Sequence, residues 1–523
     1  MSSAADRPDL RVGIDVGGTN TDAVAIDTAG EVLAAVKVAT TAEPIDGIRA
    51  ALDKVLVGLD SSRVSKAMLG TTHSANAIIQ RRGLDKVAVL RLAAPSSLGL
   101  RPGAAWPEDI HAEVVGPIAI IEGGHEYDGR EIAALDTEAV RRLAAEAVQT
   151  ECRSVAVSGA FSPAASEHEL RARDVLLEEL GADFPVSLSH EIGSLGLLER
   201  ENATILNAAL LSVATSVISG FQEALAERRL DVDAYLTQNE GTLLLAAEAG
   251  RYPVLTLGSG PTNSMRGACA LAGVDDAVVI DVGGTSADAG ILVGGFPRQS
   301  SAAVEVGGVR TNFRMPDLIS MGLGGGTVVR EGSEGLRIGP DSVGYAVATE
   351  AICVDGDTLT LSDVSLAAGR LTGFGDPALV EGIDDGLVGS ALSWVDEQIS
   401  IMSDRMKSTR AALPLLAVGG GAHLVSEAIP GVSEVIRPRH QSVANAYGAG
   451  IAEASGSVDR VYSYESSSRD ECLDDARARA VEAAVRAGAD ADRVRVSSVT
   501  EVPMTYVPGQ GCRVMVKAAG PLA

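Results

Sequence analysis

Asp15-Val16-Gly17-Gly18-Thr19-Asn20-Thr21-Asp22 returns later in the chain as Asp281-Val282-Gly283-Gly284-Thr285-Ser286-Ala287-Asp288. The copies agree at six of eight positions, and their surroundings agree as well. Apolar runs lead into them: Leu10-Arg11-Val12-Gly13-Ile14 before the first and Ala277-Val278-Val279-Ile280 before the second. β-prone runs follow, Ala23-Val24-Ala25-Ile26 and Ala289-Gly290-Ile291-Leu292-Val293. The pattern reads as strand, tight turn, strand. A third β-prone run comes next in both places, at 32–38 and 301–306. The repeat therefore predicts two similar domains, each opening with a three-stranded meander.

The turn has a chemistry of its own. Two glycines let the backbone bend sharply and let a ligand approach it closely. Successive N–H groups in such a turn form an anion-binding nest, and Thr19 and Thr285 add hydroxyls. The leading Asp15 and Asp281 end their strands, where a carboxylate can hold Mg²⁺ directly or through water. Two facing copies would clamp a polyphosphate and its metal between domains. One copy alone would be an ordinary Gly-Gly hairpin turn; two copies with the same flanks argue for a site.

Composition sets the outer bounds. A chain of 523 residues corresponds to two to four domains at roughly 150 residues each. The net charge of −27 argues against holding nucleic acid or an anionic membrane by a general basic field. No apolar run is long enough to span a bilayer. Five dispersed cysteines, without a C-x-x-C pair or a secretory leader, fit reduced thiols and a cytoplasmic setting.

Along the chain, 45–56 has helical spacing, and 69–83 reads as a strand end, a polar loop and a helix stopped by Gly83. Thr71, Thr72, His73 and Asn76 gather at the end of that strand, where α/β folds bind ligands, and His73 is a catalytic candidate. A strand at 87–92 precedes a Pro- and Gly-rich stretch, 94–129, expected to be an irregular excursion near the active site. Ser166-Glu167-His168-Glu169 reads as a capping box opening a helix to residue 180. The helical stretch 194–225, with Glu199, Glu201, Asn202 and Thr204, is placed as the connection between the repeats.

Three more glycine turns follow. Leu257-Gly258-Ser259-Gly260-Pro261 leads into a helix and suits an anion. Gly322-Leu323-Gly324-Gly325-Gly326-Thr327 misses the dinucleotide spacing but could approach a phosphate or form a tight sheet-edge crossing. Gly419-Gly420-Gly421 follows a buried strand and suits a base or ribose packed on backbone. The small-residue helix at 443–452 fits a close-packed hinge, and the polar stretch from 456 predicts a small C-terminal α+β appendage.

The paired D-x-G-G-T turns, the late G-G-G-A turn and the small-residue helix resemble the superfamily of acetate and sugar kinases, heat-shock chaperones and actin. More narrowly, Gly70-Thr71-Thr72 with Asn76-Ala77-Ile78-Ile79-Gln80-Arg81-Arg82-Gly83 is similar to a signature of the hydantoinase/oxoprolinase family, A subunit. Ser259-Gly260-Pro261, the 321–327 loop, 338–344 and 358–364 fit it too. That resemblance implies an α/β chain with two ribonuclease-H-like (actin-like ATPase) domains, 1–195 and 196–455, around a nucleotide cleft, and a C-terminal piece, 456–523. It implies ATP and Mg²⁺, a small cyclic amide as substrate, and a separate B-type subunit in a hetero-oligomer. Asp15 and Asp281 would organise the metal and act with His73. Gly17, Gly18, Thr19, Asn20, Gly283, Gly284, Thr285, Gly324 and Gly325 would hold phosphates, and Gly419, Gly420 and Gly421 adenosine. The chain departs from the family pattern at Leu69, where His is usual, and at 345–353, which leaves the substrate and the partner open. A small-molecule kinase, an acetone-carboxylase-type activating subunit and a nucleotide-gated binding protein are the alternatives.

Overall fold

A computed structural model describes residues 9–18, 20–39, 44–300, 303–332, 335–465, 467–504 and 510–523. Its organising strand, Leu10–Val16, is almost wholly buried, as a strand covered on both faces must be. It pairs antiparallel with Asn20–Asp27, which pairs antiparallel with Val32–Ala39. On its other side lie Val64–Thr71 and then Asp233–Thr237, both parallel. The second copy repeats this order. Ala277–Val282 pairs antiparallel with Ala287–Val293, and that strand with Phe296–Pro297. Leu415–Val418 and then Val435–Ile436 run parallel on the other side. Both units thus read third, second, first, fourth, fifth across the sheet.

The second meander is shorter than expected. Its third strand has two residues, and Val304–Val306 pairs with Val309–Thr311 in a separate hairpin. Residues 301–302 of the expected run lie outside the described residues, as do 1–8.

Between the fourth and fifth strands of the first unit the chain builds a separate four-stranded parallel sheet. The stretch 94–129 adjoins this sheet and is irregular over 95–107 and 123–129, as expected, but not between them. It contains the helix Glu108–Val114 and the strand Val115–Glu122. Its prolines sit where they are tolerated: Pro107 precedes the helix, and Pro117 lies in an edge strand, where the missing N–H costs no ladder bond. The capping box at Ser166 does not form. Glu169 turns inward and accepts bonds from the Gly159 N–H at 2.7 Å and the Ser189 hydroxyl at 2.5 Å. The helices Leu197–Ala209 and Leu211–Glu227 return from this insert to the first sheet and do not bridge the repeats. Glu201 is ion-paired with Arg91, Asn202 accepts from Trp106 Nε1, and Thr204 donates to the Arg200 carbonyl.

The strands of residues 456–523 pair into the first sheet. Thr242–Leu245, Glu453–Ser463, Gly511–Gly520 and Arg495–Pro503 extend the first sheet to nine strands, and the fifth strand of that unit, Asp233–Thr237, lies beyond residue 195. The helix Arg469–Arg486 packs on this extension through Leu473, Ala476, Ala480 and Ala484. The polar composition of this stretch comes from the exposed edge strand and from the outer face of the helix Arg469–Arg486.

Two helices join the units. Ser259–Ala272 crosses Ala444–Gly450 so closely that a Cβ at Gly267 would collide with the Ala444 carbonyl, and one at Gly448 with the Asn263 carbonyl. Among the described residues no single helix is long and apolar enough to cross a membrane.

Candidate functional site

The two octapeptide turns face one cleft of about 320 Å³. Antiparallel register decides which side chains enter it. Asp15 lies opposite Asp22, and Asp281 opposite Asp288, so each turn delivers two carboxylates. Both turns close alike: the Gly17 N–H donates to the Asn20 carbonyl at 3.0 Å, and the Gly283 N–H to the Ser286 carbonyl at 2.8 Å.

The joining helices hold these acids. Asn263 Nδ2 donates to Asp15 Oδ1 at 3.2 Å, while Asn445 Nδ2 lies 3.0 Å from both Asp15 Oδ2 and Asp22 Oδ2. The Ser264 hydroxyl donates to Asp281, and that of Ser320 to Asp288. Lys37 Nζ pairs with Asp22 Oδ1 at 2.5 Å. Each leading Asp also backs onto a glycine of the neighbouring parallel strand or its end. A Cβ at Gly70 would collide with Asp15 Oδ1, and one at Gly419 with Asp281 Oδ1.

Four carboxylates thus meet one cation, Lys37, among the described side chains that line the cleft. Burial pushes the Asp15 carboxyl up to about 6 against the opposing bonds from Asn263 and Asn445, and nearby Asp22 adds to the rise. Burial likewise raises Asp281 to about 6, with Asp288 contributing. Burial also raises Asp22 and Asp288. An oxygen-rich site with this excess of negative charge fits a hard divalent cation. The turns beside it leave room for an anion: a Cβ at Gly18 or Gly420 would meet nothing within 4 Å.

At Gly420 and Gln441 the cleft adjoins a second cavity of about 550 Å³, walled by Arg370, His423 and Arg437. Burial and Arg437 push the His423 imidazole down to about 4, so it stays neutral, with Nδ1 2.8 Å from Ser365 Oγ. A phosphate-sized cleft continuous with a larger cavity has the shape of a nucleotide site.

Gly17, Gly18, Asn20, Gly283, Gly284, Gly419 and Gly420 line the cleft with Asp15 and Asp281. The other described candidates do not. Thr19 lies outside the described residues. Thr285 is exposed and stands beside Gly344. Gly324 and Gly325 lie behind the second turn: the Gly325 N–H donates to the Gly283 carbonyl and the Gly324 N–H to Thr327 Oγ1, so neither is offered to a ligand. Gly421 likewise spends its N–H on the Val282 carbonyl. His73 opens the helix His73–Gln80 and lines a different recess, with Ile45, Ile48 and Val217; its neighbour Thr72 reaches the cleft. Asn263 and Ser264 end the stretch 257–264 that reads as an anion turn, although their hold on the aspartates is not legible there, and no local motif marks Lys37 or Asn445. Asp22 and Asp288 could have been found, since a turn of known length sets them opposite the leading aspartates.

Two five-stranded units of one strand order, meeting at paired acidic turns, define an actin-like ATPase-type α/β fold. Residues 11–180 match the hydantoinase/oxoprolinase N-terminal region, and residues 200–374 match hydantoinase/oxoprolinase. The chain belongs to the hydantoinase/oxoprolinase family. Caprolactamase subunit alpha of Pseudomonas jessenii is 26% identical over 394 residues, covering 71% of this chain and 56% of that one. Acetone carboxylase beta subunit of Xanthobacter autotrophicus is 24% identical over 394 residues, covering 69% and 54%. The chain spans about half the length of the curated relatives it matches. The crystal structure of the ATP-dependent caprolactamase from Pseudomonas jessenii matches with a TM-score of 0.78 at 20% identity, over 98% of this chain and 88% of that one. Nucleotide-free acetone carboxylase matches with a TM-score of 0.71 at 18% identity, over 99% and 88%. At these identities the structural likeness speaks for the fold.

Proposed function

We propose that this chain is the ATP-using subunit of a cyclic-amide hydrolase, phosphorylating a lactam or hydantoin carbonyl oxygen so that a B-type partner subunit can open the ring. The observation that carries this reading is the pair of matched turns bringing Asp15, Asp22, Asp281 and Asp288 to one cleft. Asp15 and Asp281 would hold Mg²⁺, with Asp22 and Asp288 beside them. When bound, the ion neutralises phosphate charge and orients the transferred group. Backbone at Gly18 and Gly284 would cradle phosphates, with Gly17 and Gly283 closing the turns that present them, and the cavity beyond Gly420 would take the nucleoside. Lys37 supplies the positive side chain at the phosphate end. The amide oxygen forms a bond to the γ-phosphorus as the bond to the ADP oxygen breaks. The ring nitrogen gives up its proton, leaving an O-phosphorylated imidate and ADP. Water then adds to the carbon, the ring C–N bond breaks as the nitrogen takes up a proton, and a second water hydrolyses the acyl phosphate that remains, releasing phosphate and the carboxylate.

The test is ATP hydrolysis by the chain against a panel of hydantoins, lactams and 5-oxoproline, with and without the partner subunit. Stimulation by one ring amide, with ring opening only when the partner is present, is the expected result. No stimulation by any of them, with slow basal turnover, overturns the substrate class. The likeness to acetone carboxylase beta subunit favours a second reading, in which the phosphoryl acceptor is a ketone enolate oxygen. Turnover that requires a ketone and bicarbonate identifies it.

A further inference from the structure

On the far side of the helix crossing lies a recess of about 350 Å³ that the reaction above does not use. Arg11 lines it from the start of the strand that ends at Asp15. Four residues along a strand put the recess about 13 Å from the acid cleft. Arg266, from the joining helix, and Arg495, from the edge strand, also line it. In a chain of net charge −27, such a gathering of guanidinium groups needs a reason.

Two of the three arginines are engaged. Arg495 grips Glu453 with both terminal nitrogens, at 2.8 and 2.9 Å. Arg266 donates to the Gly241 carbonyl, stacks 4.7 Å from the Phe296 ring centre, and lies 3.6 Å from Glu453. Glu453 is therefore already shared between two cations. Arg11 differs: among the described residues it forms no ion pair and no hydrogen bond, although it is only partly exposed. Asp275 also lines the recess, without pairing to Arg11. Burial and Arg493 push the Arg11 guanidinium below its ordinary value, offset in part by Asp9. Among the described residues its fork of donors is free for an anion in the recess, which would give it a paired acceptor.

We propose that this recess binds a phosphate group, with Arg11 as its principal ligand and Arg266 and Arg495 flanking it. Guanidinium groups match phosphate oxygens in a fork geometry. The volume is several times that of one oxyanion, which suits a small phosphate monoester as well as inorganic phosphate. Gly294, Gly295 and Phe296 of the second unit line the same recess as Arg11 of the first, so an occupant would meet both units.

The test is equilibrium dialysis of the full chain with radiolabelled inorganic phosphate and, separately, glucose 6-phosphate. It is done at constant ionic strength in chloride, with EDTA present so that the metal-free acid cleft repels both probes. One saturable site per chain is expected. Its affinity falls at least tenfold in Arg11→Gln, recovers in part in Arg11→Lys, and is unchanged in Asp281→Asn. Whichever probe binds tighter identifies a monoester or free phosphate as the source. No saturable binding of either probe, or equal binding by Arg11→Gln, overturns the proposal. Should Arg11→Gln fail to fold, phenylglyoxal labelling of the wild-type chain decides. Phosphate must protect Arg11 from modification, and labelling that phosphate does not slow overturns the proposal.

Discussion

Replacing Asp281 by Asn should make the metal-free protein more stable at neutral pH while removing its use of Mg²⁺ and nucleotide. The carboxyl titrates at about 6 in the fold against an ordinary value of 3.8. The folded state therefore binds this proton more tightly than the unfolded chain does. The resulting stability is fully present below the ordinary value, is lost as pH rises from about 4 to about 6, and stays lost above that. A shift of about two units corresponds to about 3 kcal/mol. Asp281 stands partly open to the cleft, so solvent screening reduces this to roughly 1–2 kcal/mol. Asparagine keeps the shape and still accepts from the Ser264 hydroxyl, but carries no charge to bury. In EDTA, Asp281→Asn should melt a few degrees above wild type at pH 8, with the gap narrowed to a fraction of that at pH 4.5. Adding Mg²⁺ with nucleotide should raise the wild-type midpoint and leave the variant unmoved. A variant that is less stable than wild type by the same amount at both pH values would refute the reasoning, since packing and not charge would then set the stability at this position.

Asp15→Ala should abolish ATP turnover with the circular dichroism spectrum unchanged; full turnover would remove Asp15 from the site. Gly70→Ala drives a methyl into Asp15 and Asn263, so nucleotide affinity in Mg²⁺ should fall about tenfold, with overpacking costing about 1–3 kcal/mol, read by calorimetric titration and melting. Arg91→Ala strands Glu201, which is 1% exposed, and should cost about 3–5 kcal/mol, seen as faster hydrogen exchange in the insert sheet. His73→Ala should leave basal ATP turnover near wild type, because His73 lines another recess; a loss of two orders of magnitude would return it to the chemistry.

The repeat made the fold legible because a strand, turn and strand with one set of polar positions is specified within about fifteen residues by local rules. Everything that depends on distant pairing was harder to read. Glu453–Ser463 joins the first sheet through Thr242–Leu245, more than two hundred positions upstream, and nothing in its own pattern states that partner. The false capping box at Ser166 shows the same limit. Its Glu169 has the right spacing, but Ser189, His190 and Arg200 make the inward position the better one. Gly324 and Gly325 were read as a phosphate loop because a glycine run has the same composition whether it faces a ligand or buttresses a turn. Only the acceptors of its N–H groups tell the two apart.

The residues least visible in the sequence explain how two separate units can share one reaction. Asn263 and Ser264 are consecutive on the joining helix, yet Asn263 holds Asp15 of the first unit and Ser264 holds Asp281 of the second. Asn445, on the helix that crosses it, ties Asp15 to Asp22. The glycine contacts at Gly267 and Gly448 fix that crossing at backbone distance. Any rotation of one unit against the other about this crossing must change the separation of Asp15 and Asp281 or break one of these bonds. On the proposed reading, the geometry of a metal held between the two aspartates would be set by domain position, and closure around a nucleotide and alignment of the acids would be a single movement.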